Sequence, residues 1–271
     1  MDFTLTEEQH AIVENVAALC ARFDDNYWRE KDRTGDFPFD FHAAMAKDGW
    51  LGITMPEEHG GAGLGVVEAA LMMHTVAKSS GGMSAASAIH INIFGPHPIV
   101  VFGSDEQKNR WLPSLIKGEV KSCFGVTEPN AGLNTTALQT RAEKTSDGYL
   151  VNGRKIWTTT GQEADKIMLL ARTTPKEKCK KATDGLSLFY TDMNRDYMDV
   201  RVIEKMGRKA VDSNEVFIDN LPVPGEDLIG EEGKGFYYLL HSLNPERVLV
   251  GIEAIGIGMN ALERAAKYAR E

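Results

Sequence analysis

Two glutamates in an apolar stretch are the residues best suited to acid–base chemistry. Glu246 and Glu253 lie seven residues apart in NPERVLVGIEAIGIG, a spacing that puts them on one face of a helix. Burial among aliphatic side chains raises the pKa of a carboxyl group, which suits a general base. The alternative is that Glu246 only stabilises a helix N-terminus through the helix dipole. Asn244 and Pro245 would then be the N-cap and the first helical residue, unless a preceding helix continues through Pro245 with a kink.

Two loops rich in hydroxyl groups form a second candidate centre. One is TEPNAGLNTT, residues 127–136, and the other is NGRKIWTTTG, residues 152–161. Both lie beside strand-like runs, and neither carries a charge cluster suited to a metal ion. Trp157 in the second loop is either part of a binding surface or core filler among threonines that only favour strands.

Composition excludes several classes of function. The chain of 271 residues is 42% hydrophobic and 25% charged, with a net charge of −9, and it lacks the clustered Lys and Arg that nucleic-acid phosphates require. Three cysteines without metal-ligand spacing argue against a disulfide framework or a zinc site and indicate a reducing compartment; they are Cys20, Cys123 and Cys179. No secretory signal and no apolar run of about 20 residues is recognisable. We therefore expect a soluble, cytoplasmic protein without a membrane span.

Residues 1–120 have helical patterns. Thr6–Gln9 and Ser104–Gln107 each have the residue types of a capping box at a helix start. A shorter helix is predicted over Phe41–Lys47, with Asp40 as its N-cap. The first domain is therefore predicted to be α-helical.

The segment SAASAIHINIFGPHPIVVFG is apolar nearly all round, which predicts burial. It contains His90 and His97, and neither has a carboxylate or a cysteine at ligand spacing. Both are predicted to be satisfied core histidines.

Strand patterns dominate residues 121–232. Asn152-Gly153 between apolar runs predicts a β-hairpin, and four further strands are expected in KIMLLART, LSLFYTDM, DVRVIEKMG and NEVFIDN. Helical periodicity returns over residues 233–271. This segregated order predicts an α+β fold rather than an alternating parallel sheet, and no dinucleotide-binding fingerprint is present.

Six motifs, taken together and in order, resemble the acyl-CoA dehydrogenase family. They are PEEHGGAG, GSDEQKNRWLPSLIKGE, GVTEPNAGLNTTA, NGRKIWTTTG, EKMGRKAVDSNEVFIDNLPVP and GEEGKGF. The resemblance extends over essentially the whole chain. It implies an N-terminal α-helical domain over residues 1–120, a middle β-barrel or sandwich domain over residues 121–232, and the beginning of a C-terminal helical bundle over residues 233–271.

The resemblance also implies FAD as the cofactor. A flavin ring is flat, and its polar edges and apolar faces need backbone groups, hydroxyls and aromatic cover. The positions matching the family's flavin contacts are Phe124, Val126, Thr127, Trp157, Thr158 and Thr159. Trp157 would lie beside the ring, and the Thr159 hydroxyl would lie near its reactive nitrogen. Leu133-Asn134 stands where the family usually has Ser-Asp, and Leu133 lacks the donor that a serine there offers to substrate.

The activity implied is α,β-dehydrogenation of an acyl-CoA, as in fatty-acid β-oxidation. A branch resembling the isovaleryl- and long-chain enzymes has its catalytic base at the position of Glu246. Asn244 and Arg247 match residues that line the thioester and pantetheine channel. The family further implies reoxidation by an electron-transferring flavoprotein and a homo-oligomer, either a dimer or a tetramer.

Two alternatives stay open. One is an acyl-CoA oxidase or desulfinase on the same fold. The other is a non-catalytic scaffold that binds acyl-CoA or flavin, because the chain ends before the position of an Arg-x-x-Phe-Gly stretch that completes the family's FAD site. The chain is therefore expected to be C-terminally incomplete.

Overall fold

The computed structural model describes residues 4–271 and confirms the predicted α+β fold. Residues 1–3, with which the first predicted domain begins, lie outside the described residues. Helices precede a mixed sheet, and one long helix follows it. The helices are α1 Glu7–Cys20, α2 Asp25–Thr34, α3 Phe39–Lys47, α4 Val66–Lys78, α5 Gly82–Phe94, α6 His97–Phe102, α7 Asp105–Ile116 and α8 Gly235–Tyr268. The strands are β1 Ser122–Gly125, β2 Arg141–Lys144, β3 Gly148–Thr159, β4 Lys166–Arg172, β5 Leu186–Asp192, β6 Met198–Val202, β7 Ser213–Pro224 and β8 Leu228–Ile229.

Helix starts follow local chemistry where the side chain can reach the backbone. In the first predicted capping box, the Thr6 hydroxyl accepts from the Gln9 N–H at 3.2 Å, and the Thr6 N–H donates to the Gln9 side chain at 3.1 Å. The box at Ser104 is also present. The predicted cap at Asp40 is wrong: α3 begins at Phe39, and Asp40 lies in its first turn, where its charge favours the positive end of the helix dipole.

The sheet has the strand order β6-β7-β3-β2-β4-β5-β8, with β1 paired to β4. The β1–β4 pair is parallel, whereas β3 and β7 are antiparallel. The hairpin predicted at Asn152-Gly153 is wrong, because both residues lie inside β3, where the register against β7 shifts. Close packing, and not a turn, requires a glycine at position 153, since a Cβ there would lie 2.3 Å from the Thr140 hydroxyl oxygen.

Helix α5 forms the centre of the helical core, as its apolar sequence predicts. All residues from Ala85 to Phe94 are buried. We expected no apolar stretch long enough to cross a membrane. This expectation is wrong when only length and composition are considered. Gly82–Phe102 spans 21 residues with a mean hydropathy of 1.3, but 72% of its most apolar window is buried inside the fold. That burial is typical of a core helix.

Helix α8 runs unbroken through Pro245, so the prediction that Asn244 caps a new helix is wrong and the continuing helix is correct. The helix packs on α4 and α5. Close approach to α4 is possible at Gly256, where a Cβ would lie 2.6 Å from the His74 carbonyl oxygen. The opposite face of α8 exposes large apolar side chains, among them Ile255, Leu262 and Tyr268.

Candidate active site

A β-bulge in β3 presents Trp157 to solvent. The register between β3 and β7 shifts between Ile156 and Thr158. Trp157 has a φ of 62°, a left-handed conformation that bulky residues rarely adopt and that is common at functional sites. Its side chain is 59% exposed. The interpretation of Trp157 as core filler is therefore wrong, because the backbone turns the indole out of the sheet.

The other predicted flavin-contacting loop lies directly beside this bulge. Phe124, Val126 and Thr127 are at or just after the end of β1 and are half-buried. The N–H of Ile156 donates to the Thr127 carbonyl oxygen at 2.9 Å. The two sequence-predicted loops thus form one continuous surface.

A buried lysine fixes the two loops to each other. The fully buried side chain of Lys155 donates from Nζ to the carbonyl oxygens of Val126, at 3.1 Å, and Leu170, at 2.8 Å. It also contacts Glu128 Oε1 at 3.0 Å. Burial lowers the pKa of Lys155 to about 8, against the opposing effect of the Glu128 charge. The sequence analysis missed this residue, although a lysine inside a strand is a recognisable signal.

The partner carboxylate, Glu128, is satisfied from several sides. Besides Lys155 it accepts the backbone N–H of Gln139, at 2.7 Å, and of Thr140, at 2.9 Å. Burial acts to raise the pKa of Glu128, but the lysine charge and the hydrogen bonds outweigh it and hold the pKa below its usual value. Glu128 therefore stays ionised and structural.

The two threonines after Trp157 differ in environment. Thr158 is fully buried, and its hydroxyl has no hydrogen-bond partner among residues 4–271. Its carbonyl oxygen accepts from the Asn214 side chain at 2.9 Å, which holds the strand in place after the bulge. Thr159, at the end of β3, is half-buried.

Glu246 has the environment that its apolar neighbours predict. It is half-buried on α8. Burial raises the pKa of its carboxyl group, the positive charges of His90 and Arg247 lower it, and the negative charge of Glu253 raises it further. The net effect is upward, towards the range in which a carboxylate accepts a proton effectively.

Asn244 and Arg247, the predicted substrate contacts, both lie on the solvent side of α8. Nη1 of Arg247 donates to Asn244 Oδ1 at 2.7 Å. The pair flanks Glu246 on either side in sequence, and both side chains are exposed.

The helix carrying Glu246 is connected to the first loop through α5. The Ser242 hydroxyl, one turn before Glu246, donates to the Phe94 carbonyl oxygen at 2.7 Å. The Phe94 ring packs edge-to-face against Phe124 at a centroid distance of 6.2 Å. The candidate base and the candidate flavin-contacting residues are therefore joined by a short chain of contacts.

His90 is a core histidine, as predicted, but its partner is a carboxylate that the sequence analysis did not connect to it. His90 Nδ1 lies 3.1 Å and 3.2 Å from the two carboxylate oxygens of Glu253. The two residues are 163 positions apart, so no local spacing could indicate the pair.

Leu133-Asn134, which stands where the family usually has Ser-Asp, lies on an exposed loop. Leu133 is fully exposed. Asn134 Oδ1 accepts from the Thr136 hydroxyl at 2.7 Å, which stabilises the loop locally.

Comparison with known proteins assigns the family. Residues 6–119 match the N-terminal domain of acyl-CoA dehydrogenases, residues 123–221 the middle domain and residues 233–271 the C-terminal domain. The chain belongs to the acyl-CoA dehydrogenase family. The resemblance found in the sequence motifs is thereby confirmed, whereas the exact domain boundaries stay predictions.

Relatives of known sequence or structure agree. An acyl-CoA dehydrogenase of Bacillus subtilis is 35% identical over 241 residues, which cover 89% of this chain and 62% of that protein. The glutaryl-CoA dehydrogenase–glutaryl-CoA complex superposes with a TM-score of 0.91 at 29% identity, over 99% of this chain and 68% of that one. PigA bound to FAD and proline superposes with a TM-score of 0.92 at 25% identity, over 99% of this chain and 70% of that one. The chain thus spans about two thirds of the length of these three proteins.

FAD is the cofactor of this family, and the residues present fit it. An exposed indole at a bulge, in a conformation rarely adopted by tryptophan, offers an aromatic surface to a flat ring. Thr127 and Thr159, both half-buried and close to Trp157 in the fold or the sequence, carry hydroxyl groups. The buried charges of Lys155 and Glu128 are paired with each other beneath the two loops.

Proposed function

We propose that the protein catalyses FAD-dependent α,β-dehydrogenation of an acyl-CoA thioester to the 2-enoyl-CoA, with Glu246 as the α-proton base. The observation that carries this proposal is the environment of Glu246. It is a half-buried carboxyl group with a raised pKa, on a helix joined through Ser242 and Phe94 to the loop that carries Phe124.

The cofactor would be held by the two loops around the bulge. Trp157 would cover one face or edge of the flavin ring, while Phe124, Val126, Thr127, Thr158 and Thr159 would supply backbone and hydroxyl contacts. FAD, when bound, accepts the β-hydrogen together with its electron pair. Lys155 and Glu128 hold the loops at a fixed separation without contacting the ring.

Glu246 would accept the α-proton of the thioester. An α C–H is a very weak acid, so the base must be both ionised and poorly hydrated, and its apolar neighbours on α8 supply the second condition. Asn244 and Arg247, exposed on either side of it, would contact the thioester and pantetheine part of the substrate. The exposed Leu133 would replace the usual serine donor with an apolar contact.

The remaining parts of the proposal concern partners and location. Reoxidation by an electron-transferring flavoprotein and assembly into a dimer or tetramer are supported by family membership. A cytoplasmic location fits Cys20, Cys123 and Cys179, which are all free thiols as a reducing compartment favours, and a role in β-oxidation is proposed from family membership alone.

Flavin reduction in the Glu246→Gln variant tests the proposal. The substitution keeps the shape of the side chain and removes the base. We expect the rate of anaerobic flavin reduction by a panel of acyl-CoAs, measured by stopped flow on the full-length FAD-loaded protein, to fall roughly 10²–10⁴-fold. Acyl-CoA binding should be largely kept.

The matched control is Glu263→Gln on the same helix. Glu263 is an exposed carboxylate that pairs with Lys78, so its replacement should leave the rate unchanged. Near-normal reduction in Glu246→Gln would remove Glu246 as the base. Absence of flavin absorbance in the full-length protein after addition of FAD would overturn the cofactor assignment. Hydrogen peroxide release during turnover would identify an oxidase instead.

A further inference from the structure

A second carboxylate is buried behind the candidate base. Glu253 is completely inaccessible to solvent, and His90 is 5% exposed. The carboxylate accepts from the imidazole Nδ1 on both oxygens, at 3.1 Å and 3.2 Å. Burying a carboxylate is costly unless a cation or several donors compensate it, so this pair requires an explanation beyond core packing.

A cation on the segment between β6 and β7 interacts electrostatically with the same carboxylate. Arg208 donates to the Ser87 hydroxyl at 2.8 Å and to the Ser213 hydroxyl at 3.1 Å. Burial lowers the pKa of Arg208, and the negative charges of Asp212 and Glu253 oppose that effect. Its φ of 56° shows that the backbone adopts an uncommon conformation to bring this guanidinium to α5. Glu253 thus has the His90 imidazole as its hydrogen-bond partner and is also influenced by the charge of Arg208.

The pair is connected to the helix turn that carries Glu246. Glu253 is two helical turns further along α8, roughly 10 Å along the axis on the same face. His90 is one turn before Phe94 on α5 and contacts its ring at 5.4 Å. Phe94 in turn contacts both Phe124 and Ser242. The pair therefore supports the helix turn that carries the candidate base.

We propose that His90 and Glu253 are positioning residues for Glu246, forming a buried hydrogen-bonded pair that sets the electrostatic environment of the base and anchors α8 to α5. This inference rests on the proposed function only where it concerns the reaction rate. Neither residue has to touch the substrate.

The two members of the pair act on Glu246 in opposite directions. The Glu253 carboxylate raises the pKa of Glu246, and a protonated His90 lowers it. Glu253→Gln should therefore lower the pKa of Glu246, whereas His90→Asn should raise it. Asn keeps a donor near the position of Nδ1 without a charge, and Gln keeps an acceptor without a charge. A role in packing alone would not produce effects of opposite sign.

The experiment measures the titration of Glu246 directly, by pH-difference infrared spectroscopy of its carboxyl C=O stretch in the full-length FAD-loaded protein. The band is assigned by its loss in Glu246→Gln. In parallel, the pH profile of flavin reduction is recorded. Its acid limb should move to lower pH in Glu253→Gln and to higher pH in His90→Asn. Moving the limb by one pH unit changes the ionised fraction of Glu246 about tenfold at pH values well below the pKa.

Three further variants serve as controls. Glu253→Asp keeps the charge and should give the parent titration. Glu263→Gln, on the exposed part of α8, should also leave it unchanged. The double variant His90→Asn/Glu253→Gln keeps a neutral hydrogen-bonded pair in the core. If Glu253→Gln folds but His90→Asn alone does not, the double variant is compared with Glu253→Gln. The pKa of Glu246 must then be higher in the double variant than in Glu253→Gln.

Two outcomes would overturn the inference: an unchanged titration of Glu246 in both single variants, or displacement of the titration in the same direction in both. Failure of the proposed function would look different. In that case the infrared titrations move as expected, but the rate of flavin reduction does not follow them and Glu246→Gln reacts normally.

Discussion

Glu128 and Glu246 are both shielded from water, yet the pKa values of their carboxyl groups are displaced in opposite directions. Burial is the largest influence on each pKa and acts upward in both. At Glu128 a lysine and two backbone N–H groups outweigh it, so the pKa falls. At Glu246 the charges of His90 and Arg247 do not, so the pKa rises.

The difference shows that hydrogen-bond supply, rather than burial alone, distinguishes a structural carboxylate from a candidate base. In the β sheet, strand ends and loops offer free N–H groups and allow Lys155 to reach three oxygen atoms. In the interior of α8, the backbone N–H groups are used by the helix itself. A carboxyl group on a helix face therefore depends on side chains from other elements.

Removal of Lys155 should have a large effect on stability. Lys155→Met leaves Glu128 buried with an uncompensated charge, and we expect the free energy of unfolding to fall by about 3–5 kcal/mol. Urea denaturation of the apo protein measures it. The matched variant is Lys144→Met, which breaks an exposed pair with Glu232 and should cost less than about 1 kcal/mol. Equal losses in both variants would remove the contrast between the two regions.

Trp157→Ala and Trp111→Ala compare a site residue with a core residue of the same type. Trp111 is 2% exposed, so its truncation should cost about 3–5 kcal/mol. Trp157 is 59% exposed, so its truncation should change apo stability by less than about 1 kcal/mol. Its effect should be on FAD retention and the flavin spectrum, measured by absorbance after gel filtration. Unfolding of apo Trp157→Ala, with a normal spectrum in any remaining holo protein, would contradict the assignment.

The pH dependence of stability gives the smallest and most specific test. Because the pKa of Glu128 is depressed, its contribution is present above the unfolded-state pKa of about 4.3 and is lost as pH falls through the folded-state pKa. Because the pKa of Glu246 is raised, stability decreases as pH increases from about 4.3 to the folded-state pKa.

The loss of stability on acidification should therefore be smaller in Glu128→Gln than in the parent protein. Glu246→Gln should make the protein relatively more stable at neutral pH. Chemical denaturation of the apo protein across pH 3–8 measures both slopes. Slopes that change in the same direction in the two variants would show that the carboxyl groups do not differ as inferred.

The sequence by itself determined the α+β order, the capping boxes at Thr6 and Ser104, the buried character of α5 and the family. These features depend on local patterns: periodic apolar residues, a side chain that reaches the N–H three residues on, and motifs in a fixed order. Local patterns also misled at Asn152-Gly153, where a turn-like pair continues a strand because Gly153 packs against Thr140.

Only the tertiary structure decided which buried charges meet. The Lys155–Glu128 and His90–Glu253 pairs join residues that are 27 and 163 positions apart. The outward turn of Trp157 depends on the register of β3 against β7, which shifts at the bulge. Whether a buried carboxyl group keeps or loses its proton follows from donors supplied by distant segments, and a single stretch of sequence does not specify those distances.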